Sequence, residues 1–354
     1  MRTVQSAVAH PKNNFDAVRL IAALCVLFSH QLALGNLPEP RVLVVHTLGG
    51  VGVLVFFSIS GFLVARSWNA DPHIGRFAAK RLLRIWPGFA VVILLTACVL
   101  GPLVSPLSIQ DYFTDIGFWR YFKNLLFKLQ EVLPINFDGS PYPHSANGSL
   151  WTLPMELQCY LVLGLFGIVD LMLHRWRWLL MAVMLAVTVV YMVIPAAGED
   201  WNNPWSWSRG CRDFLEFGMF FMAGGLFAVF RMHESPCKAR WMLAACWVLG
   251  AAAVAANCNL LALWLVVPTT AVMISNASTP GLRRAGRFGN LSYGMYIYAF
   301  PVQQTLIWLY RDTLSWQTLL GLALAITLTL AFASWHLVEK RALQWKPRRA
   351  YVPA

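Results

Sequence analysis

The chain has 354 residues, of which 58% are hydrophobic and only 12% charged, and it carries a formal net charge of +12. Charged residues make up about a quarter of an ordinary soluble domain, so this composition excludes a soluble enzyme and makes the lipid bilayer the relevant solvent. It also excludes a nucleic-acid binder, because phosphate binding needs a contiguous basic surface and these Lys and Arg residues fall in short clusters between apolar runs.

The first apolar run, 15 to 34, has the roughly twenty residues that a membrane-crossing helix needs. Lys12 before it and Ala33-Leu34-Gly35 after it imitate a secretory signal, but the run is long for a signal core. Further runs at 43 to 65, 85 to 104, 151 to 173, 178 to 195, 214 to 230, 241 to 257, 259 to 277, 288 to 310 and 317 to 337 predict an all-α polytopic membrane protein of about ten transmembrane helices. Only Asn257-Cys258-Asn259 separates the seventh and eighth runs.

Charge favours keeping those two apart. With the N-terminus and C-terminus both cytoplasmic, Arg2, Lys12, Arg19, Arg66, Arg76, Lys80, Arg81, Arg84, Arg175, Arg177, Arg231, Lys238, Arg240, Arg283, Arg284, Arg287, Lys340, Arg341, Lys346, Arg348 and Arg349 lie inside. That is 21 of the 28 basic residues, as the positive-inside rule requires. The longest connection, about 105 to 150, is then extracytoplasmic. Its stretch 111–133 reads as an amphipathic interfacial helix and 134–148 as a Pro-, Asn- and Gly-rich loop. Loops this short predict a single domain, 1–354. The seven cysteines lie mostly in apolar runs without CxxC or metal-like spacing and read as small hydrophobes, so no metal is expected.

Ionisable groups inside a span are costly and are functional candidates by default. The first run holds Arg19 and His30, eleven residues apart, hence on one helix face and about 16 Å apart along the axis. Imidazole titrates near working pH and is the usual base for activating a hydroxyl. Arg81 and Arg84, with Lys80 beside them, are neighbours on a helix face whose guanidinium forks suit a phosphate-bearing ligand. Glu156, in Trp151-Thr152-Leu153-Pro154-Met155-Glu156, needs a partner from another helix, and at this depth His30 is the expected one. Arg209, Arg212, Asp213 and Glu216, with Trp151, are candidates to meet a hydrophilic acceptor. Gly49-Gly50-Val51-Gly52 and Ser60-Gly61 permit close helix packing or close approach of a slender ligand to the backbone, and packing is the favoured reading.

Taken in order, Arg19 and His30, Gly49-Gly50-Val51-Gly52 running into Phe56-Phe57-Ser58-Ile59-Ser60-Gly61-Phe62, and Lys80-Arg81-Leu82-Leu83-Arg84-Ile85-Trp86-Pro87 form a pattern. With Ser149-Leu150-Trp151-Thr152-Leu153-Pro154-Met155-Glu156, Leu291-Ser292-Tyr293-Gly294-Met295-Tyr296 and His336-Leu337-Val338-Glu339-Lys340, it resembles the membrane-bound acyltransferase family 3, the O-antigen and exopolysaccharide O-acetylases. The resemblance implies a bacterial inner-membrane enzyme that moves an acyl group, usually acetyl, from cytoplasmic acyl-CoA to a hydroxyl of an extracytoplasmic or lipid-linked glycan. It implies His30 as the catalytic histidine with Arg19 its motif partner, and Arg81 and Arg84 as the donor-binding pair. Many relatives have a histidine where this chain has Ala299.

The expected reaction is therefore acyl-CoA-dependent O-acyl transfer, in which His30, held by Glu156, takes the acceptor proton. An acyl-histidine intermediate is the open variant. A transporter or flippase for a lipid-linked saccharide, or a membrane scaffold, would use the same polar residues differently. Expected partners are the glycan and membrane lipids, with no nucleic acid, and a homo-oligomer stays open.

Overall fold

The computed structural model describes residues 13–130, 133–169, 176–193 and 208–347. The expectations for Arg2, Lys12, Arg175, Arg348 and Arg349, for the side chain of Arg209, and for the ends of the fourth and fifth predicted spans lie outside these residues.

Each of the ten apolar runs falls on a helix. α1 (Phe15–Leu34) and α2 (Leu48–Ala70) are joined by a small hairpin of β1 (Arg41–Val42) and β2 (His46–Thr47). The second run was expected to turn helical at 43. It does so at Leu48, because Thr47 caps the helix by accepting from the Gly50 amide at 3.1 Å. α3 (Ile74–Leu95) is capped by His73, which accepts from the Arg76 amide at 3.3 Å, and it continues through a π turn, Thr96–Leu100, into α4 (Gly101–Val104) as a rod of 31 residues.

After two short helices, α5 (Ile109–Thr114) and α6 (Ile116–Tyr121), come α7 (Thr152–Ile168), α8 (Arg177–Val193), α9 (Ser208–Val229), α10 (Pro236–Ala255), α11 (Asn259–Asn276) and α12 (Leu291–Tyr310). α10 and α11 are indeed separate. Asn257 takes a positive φ of 59°, in the left-handed region that ends a helix and that Asn tolerates. α13 (Trp316–Ser334) passes through a second π turn, Trp335–Glu339, into α14 (Lys340–Ala342).

Among the described residues, six helical rods are long and apolar enough to cross a membrane: α1, α2, α3 with α4, α10, α11, and α13 with its extension, while α7 and α8 are apolar but shorter. Large apolar side chains stand exposed along them, Trp241 and Val248 of α10 at 74% and 68%, an arrangement suited to a lipid surroundings.

α2 is the centre of the bundle, packed most closely on α9 and then on α1 and α11. Small residues allow it. A Cβ on Gly61 would stand 1.8 Å from the Phe221 carbonyl oxygen, and one on Gly224 would stand 1.9 Å from that of Ser58, so the two backbones touch at reciprocal glycines. Gly49 and Gly52 let α1 approach closely too, since a Cβ there would stand 2.6 Å from Ser29 Cβ and 2.7 Å from the Ala22 carbonyl oxygen. The packing expectation for these glycines holds.

The 111–133 segment departs from the expected single helix. Asp115 is extended (φ −64°, ψ 138°) and accepts from the Gly117 amide at 2.6 Å, so its side chain ends α5 and starts α6. The segment also does not simply lie over the end of the bundle. Tyr112 donates to Ala97 O at 2.7 Å, Phe127 stacks on Phe89 at 5.0 Å, and Trp86 donates to Leu125 O at 3.2 Å. It therefore runs back beside α3 from Ala97 to Trp86, about 16 Å of helix. Residues 134–148 form the expected irregular loop, tied to α12 by Asn147 donating to Ile297 O and Gln304 donating to Tyr142 O.

Candidate active site

A cavity of about 350 Å³ opens among α1, α2, α3, α7 and α12, within the size range of small-molecule sites. Its charged lining consists of Arg19, Arg81, Arg84, Lys346 and Glu156, four cations against one carboxylate. Ser60, Thr152, Tyr160, Ser292, Tyr293 and Tyr296 supply hydroxyls, and Phe56, Phe57 and Leu63 supply apolar wall.

The arginines are held by aromatic faces and by few acids. Arg81 lies over Phe77 and Tyr160 at 6.0 and 5.9 Å, donates to Ser67 at 3.3 Å, and keeps its buried Nε without a partner. Arg84 lies over Tyr293 and Trp335 at 5.6 and 6.0 Å, and its Nη1 is 3.5 Å from Glu339. Trp335 and Glu339 bracket the π turn after α13. The extra residue of such a turn swings Glu339 toward α3, where Ser334 also donates to it at 3.1 Å. Lys80, expected beside the pair, is instead 2.6 Å from Asp71, which also binds Arg76 at 2.6 Å. Helical geometry turns Lys80 to the face of α3 that meets the α2–α3 turn, so it is absent from the lining. Lys346 takes the place by the arginines. Burial, and then Arg81, Arg84 and Lys80, push its ammonium down to about 8.

Glu156 faces this cavity as well. It accepts from Ser60 at 2.8 Å and from the Tyr160 hydroxyl, and no hydrogen bond or ion pair joins it to His30. The expected His30–Glu156 couple is therefore not formed. α1 runs antiparallel to α2, with Gly52 opposite Ala22 and Gly49 opposite Ser29, so His30 lies about 10 Å beyond the level of Val53, the end of the α2 lining. At that end Thr152 and Tyr296 share a hydrogen bond of 2.6 Å, and Phe56 packs edge-on to Tyr296 at 5.8 Å. One helical turn past Tyr296, Phe300 meets the His30 ring edge-on at 5.4 Å. The buried Nδ1 of His30 has no hydrogen-bond partner among the described residues. Arg19 and His30 thus mark opposite ends of α1: Arg19 in the cavity, 3.7 Å from Asp16, and His30 beyond it.

An acyltransferase-domain family model matches residues 12–337 of the chain. The chain belongs to the acyltransferase 3 family. An O-acetyl transferase of Shigella phage Sf6 is 30% identical over 342 residues, covering 94% of this chain and 97% of that protein. Nodulation protein 10 of Rhizobium leguminosarum bv. viciae is 30% identical over 363 residues, covering 94% of each. A third relative, regulator of hypoxia-inducible factor 1 of Caenorhabditis elegans, is 30% identical over 155 residues, 41% of this chain and 28% of that protein. No solved structure matches the chain significantly.

In this acyltransferase the proposed acceptor residues stand apart from the cavity. Trp151 packs on Phe217 at 5.5 Å, Arg212 lies 4.6 Å over Tyr191, and Glu216 accepts from Tyr191. Glu216 is also 2.5 Å from His46 Nε2, which joins the hairpin before α2 to α9. Sequence reading gave no site role to His46, Ser60, Tyr160, Tyr293, Glu339 or Lys346. Glu339 and Tyr293 were inside recognised motifs and could have been promoted as polar residues at membrane depth; the place of Lys346 in the cavity had no local signal.

Proposed function

We propose that this acyltransferase takes an acyl group, most simply acetyl, from acyl-CoA at the Arg81–Arg84 end of the bundle and delivers it to a glycan hydroxyl at the His30 end, across the bacterial inner membrane. In this reading about ten helices span the bilayer with both termini cytoplasmic. The carrying observation is the cavity with four cations and one carboxylate among its lining residues, set about 10 Å short of an imidazole on the same helix as Arg19. That charge excess favours a polyanionic ligand such as the phosphates of CoA, and guanidinium forks suit phosphate oxygens.

The pantetheine arm leads the thioester past Phe56, Thr152 and Tyr296 toward His30. His30 accepts the proton of the acceptor hydroxyl as its oxygen attacks the thioester carbonyl. The C–S bond then breaks, and the CoA thiolate recovers the proton from the imidazolium. Glu156 belongs to the donor cavity in this scheme, where it offsets Arg19 and Arg81. Arg212, Glu216 and Trp151 remain the residues proposed to meet the glycan.

The test is transfer of labelled acetyl from acetyl-CoA to the surface polysaccharide of the host, comparing wild type with His30→Ala at equal membrane abundance. Loss of transfer in the variant supports the reading. Normal acylation without His30, with glycan that fails to reach the outside, would favour a transporter.

A further inference from the structure

We infer that Lys346, in the segment that follows the last long helix, completes the phosphate-binding end of the donor cavity and binds the nucleotide phosphates of the donor together with Arg81 and Arg84.

This inference rests on the donor reading above and adds to it a ligand contact from outside the five helices that surround the cavity. Lys346 follows the turn Leu343–Trp345, and its side chain lines the cavity with Arg81 and Arg84 of α3 and Arg19 of α1. None of the described carboxylates pairs with it: Glu339 faces Arg84, Glu156 is held by Ser60 and Tyr160, and Asp71 is shared by Arg76 and Lys80. A half-buried ammonium beside two guanidinium groups, with no acid of its own, carries a standing electrostatic cost that an anion between the three would relieve.

The buried, unpartnered Nε of Arg81 is a second observation pointing the same way. Arg81 itself lines the cavity, and this Nε finds no acceptor among the described residues, so the guanidinium is not fully committed to protein partners. The chain path explains how Lys346, four residues past the end of α14, reaches this place. The π turn Trp335–Glu339 docks on α3 through Glu339 to Arg84, and α14 and the turn after it also pack on α3, which directs Lys346 to the cavity. A phosphate held by Arg81, Arg84 and Lys346 therefore fastens the end of the last helix onto the third. Lys80, the neighbour that sequence spacing favours, is committed to Asp71 and makes no such link.

The experiment is calorimetric titration of the full-length protein in detergent with CoA and, separately, with dephospho-CoA and pantetheine, comparing wild type, Lys346→Met, Lys346→Arg and Lys80→Met. Loss of one charged contact predicts that Lys346→Met binds CoA about tenfold more weakly or worse, that Lys346→Arg recovers most of the affinity, and that Lys80→Met changes it less than threefold. The gap between wild type and Lys346→Met should disappear for pantetheine, which has no nucleotide phosphates. Equal CoA affinity in wild type and Lys346→Met would overturn the inference while leaving the donor reading in place. A wild type that binds no CoA at all would overturn the donor reading itself, and the inference with it.

Discussion

Replacing Gly61 with alanine tests whether the cavity depends on the contact between α2 and α9. The new methyl carbon would lie 1.8 Å from the Phe221 carbonyl oxygen, and ordinary contact begins at 3.4 Å, so the helices must part by about 1.6 Å at their closest point. That displacement moves Ser60 and Leu63 of the cavity wall on one side of the contact and Phe221, which packs on Tyr160, on the other. Overpacking of this kind costs about 3 kcal/mol, and loss of alignment of about 1 Å is enough to lower turnover by about a hundredfold. Gly218 on α9 is the matched control, because a Cβ there meets nothing within 4 Å and alanine favours helix over glycine by up to about 1 kcal/mol. Thermal unfolding in detergent should show Gly61→Ala melting well below wild type and Gly218→Ala at or slightly above it. Equal melting of the two variants would refute the argument that backbone contact at Gly61 sets the site.

Raising pH should weaken CoA binding to the wild type. Burial, and then Arg81, Arg84 and Lys80 on α3, push the Lys346 ammonium down to about 8, so about a tenth of it stays charged at pH 9; it shares the cavity with Arg19 and Glu156. Affinity should fall up to about tenfold between pH 7 and 9 in wild type and stay level in Lys346→Met, whereas parallel curves would count against it. Glu156→Gln keeps an acceptor for Ser60 and Tyr160 but removes the one carboxylate among the described lining residues, so CoA should bind at least as tightly; a tenfold loss would contradict the placement of Glu156. Arg76 and Lys80 hold the Asp71 carboxyl well below its ordinary range. A depressed carboxylate contributes stability above its ordinary value near 4 and loses it as pH falls toward the folded one, so at pH 7 Asp71→Asn should speed amide exchange over 71–80, and unchanged exchange would refute the link.

The helices were legible because apolar runs of about twenty residues leave the backbone few other ways to satisfy itself in lipid. The separation of α10 from α11 was legible from charge sidedness, and the turn at Asn257 agrees with it. Charge and spacing also found Arg19, Arg81, Arg84 and Glu156, because buried ionisable groups stand out against an apolar background. Partners were harder to read. Glu156 was assigned to His30 on an expected common depth that does not hold: it pairs with Ser60, seven residues or about 10 Å along α2 from Val53, the end of the α2 lining nearer His30. Lys80 and Arg81 are adjacent in sequence but diverge by about 100° around α3, enough to send one to Asp71 and the other into the cavity. The break at Asp115 lay in one capping side chain, and the π turn that brings Glu339 to Arg84 has no periodicity signal of its own.

The most direct test of the account places donor and acceptor on opposite sides of one membrane. The protein is reconstituted in sealed vesicles of determined orientation, with labelled acetyl-CoA supplied only to the face bearing Lys346 and the glycan only to the face bearing His30. The account predicts label on the glycan in this arrangement, dependent on His30 and on Arg81. Transfer that occurs only when both substrates share one face would contradict it.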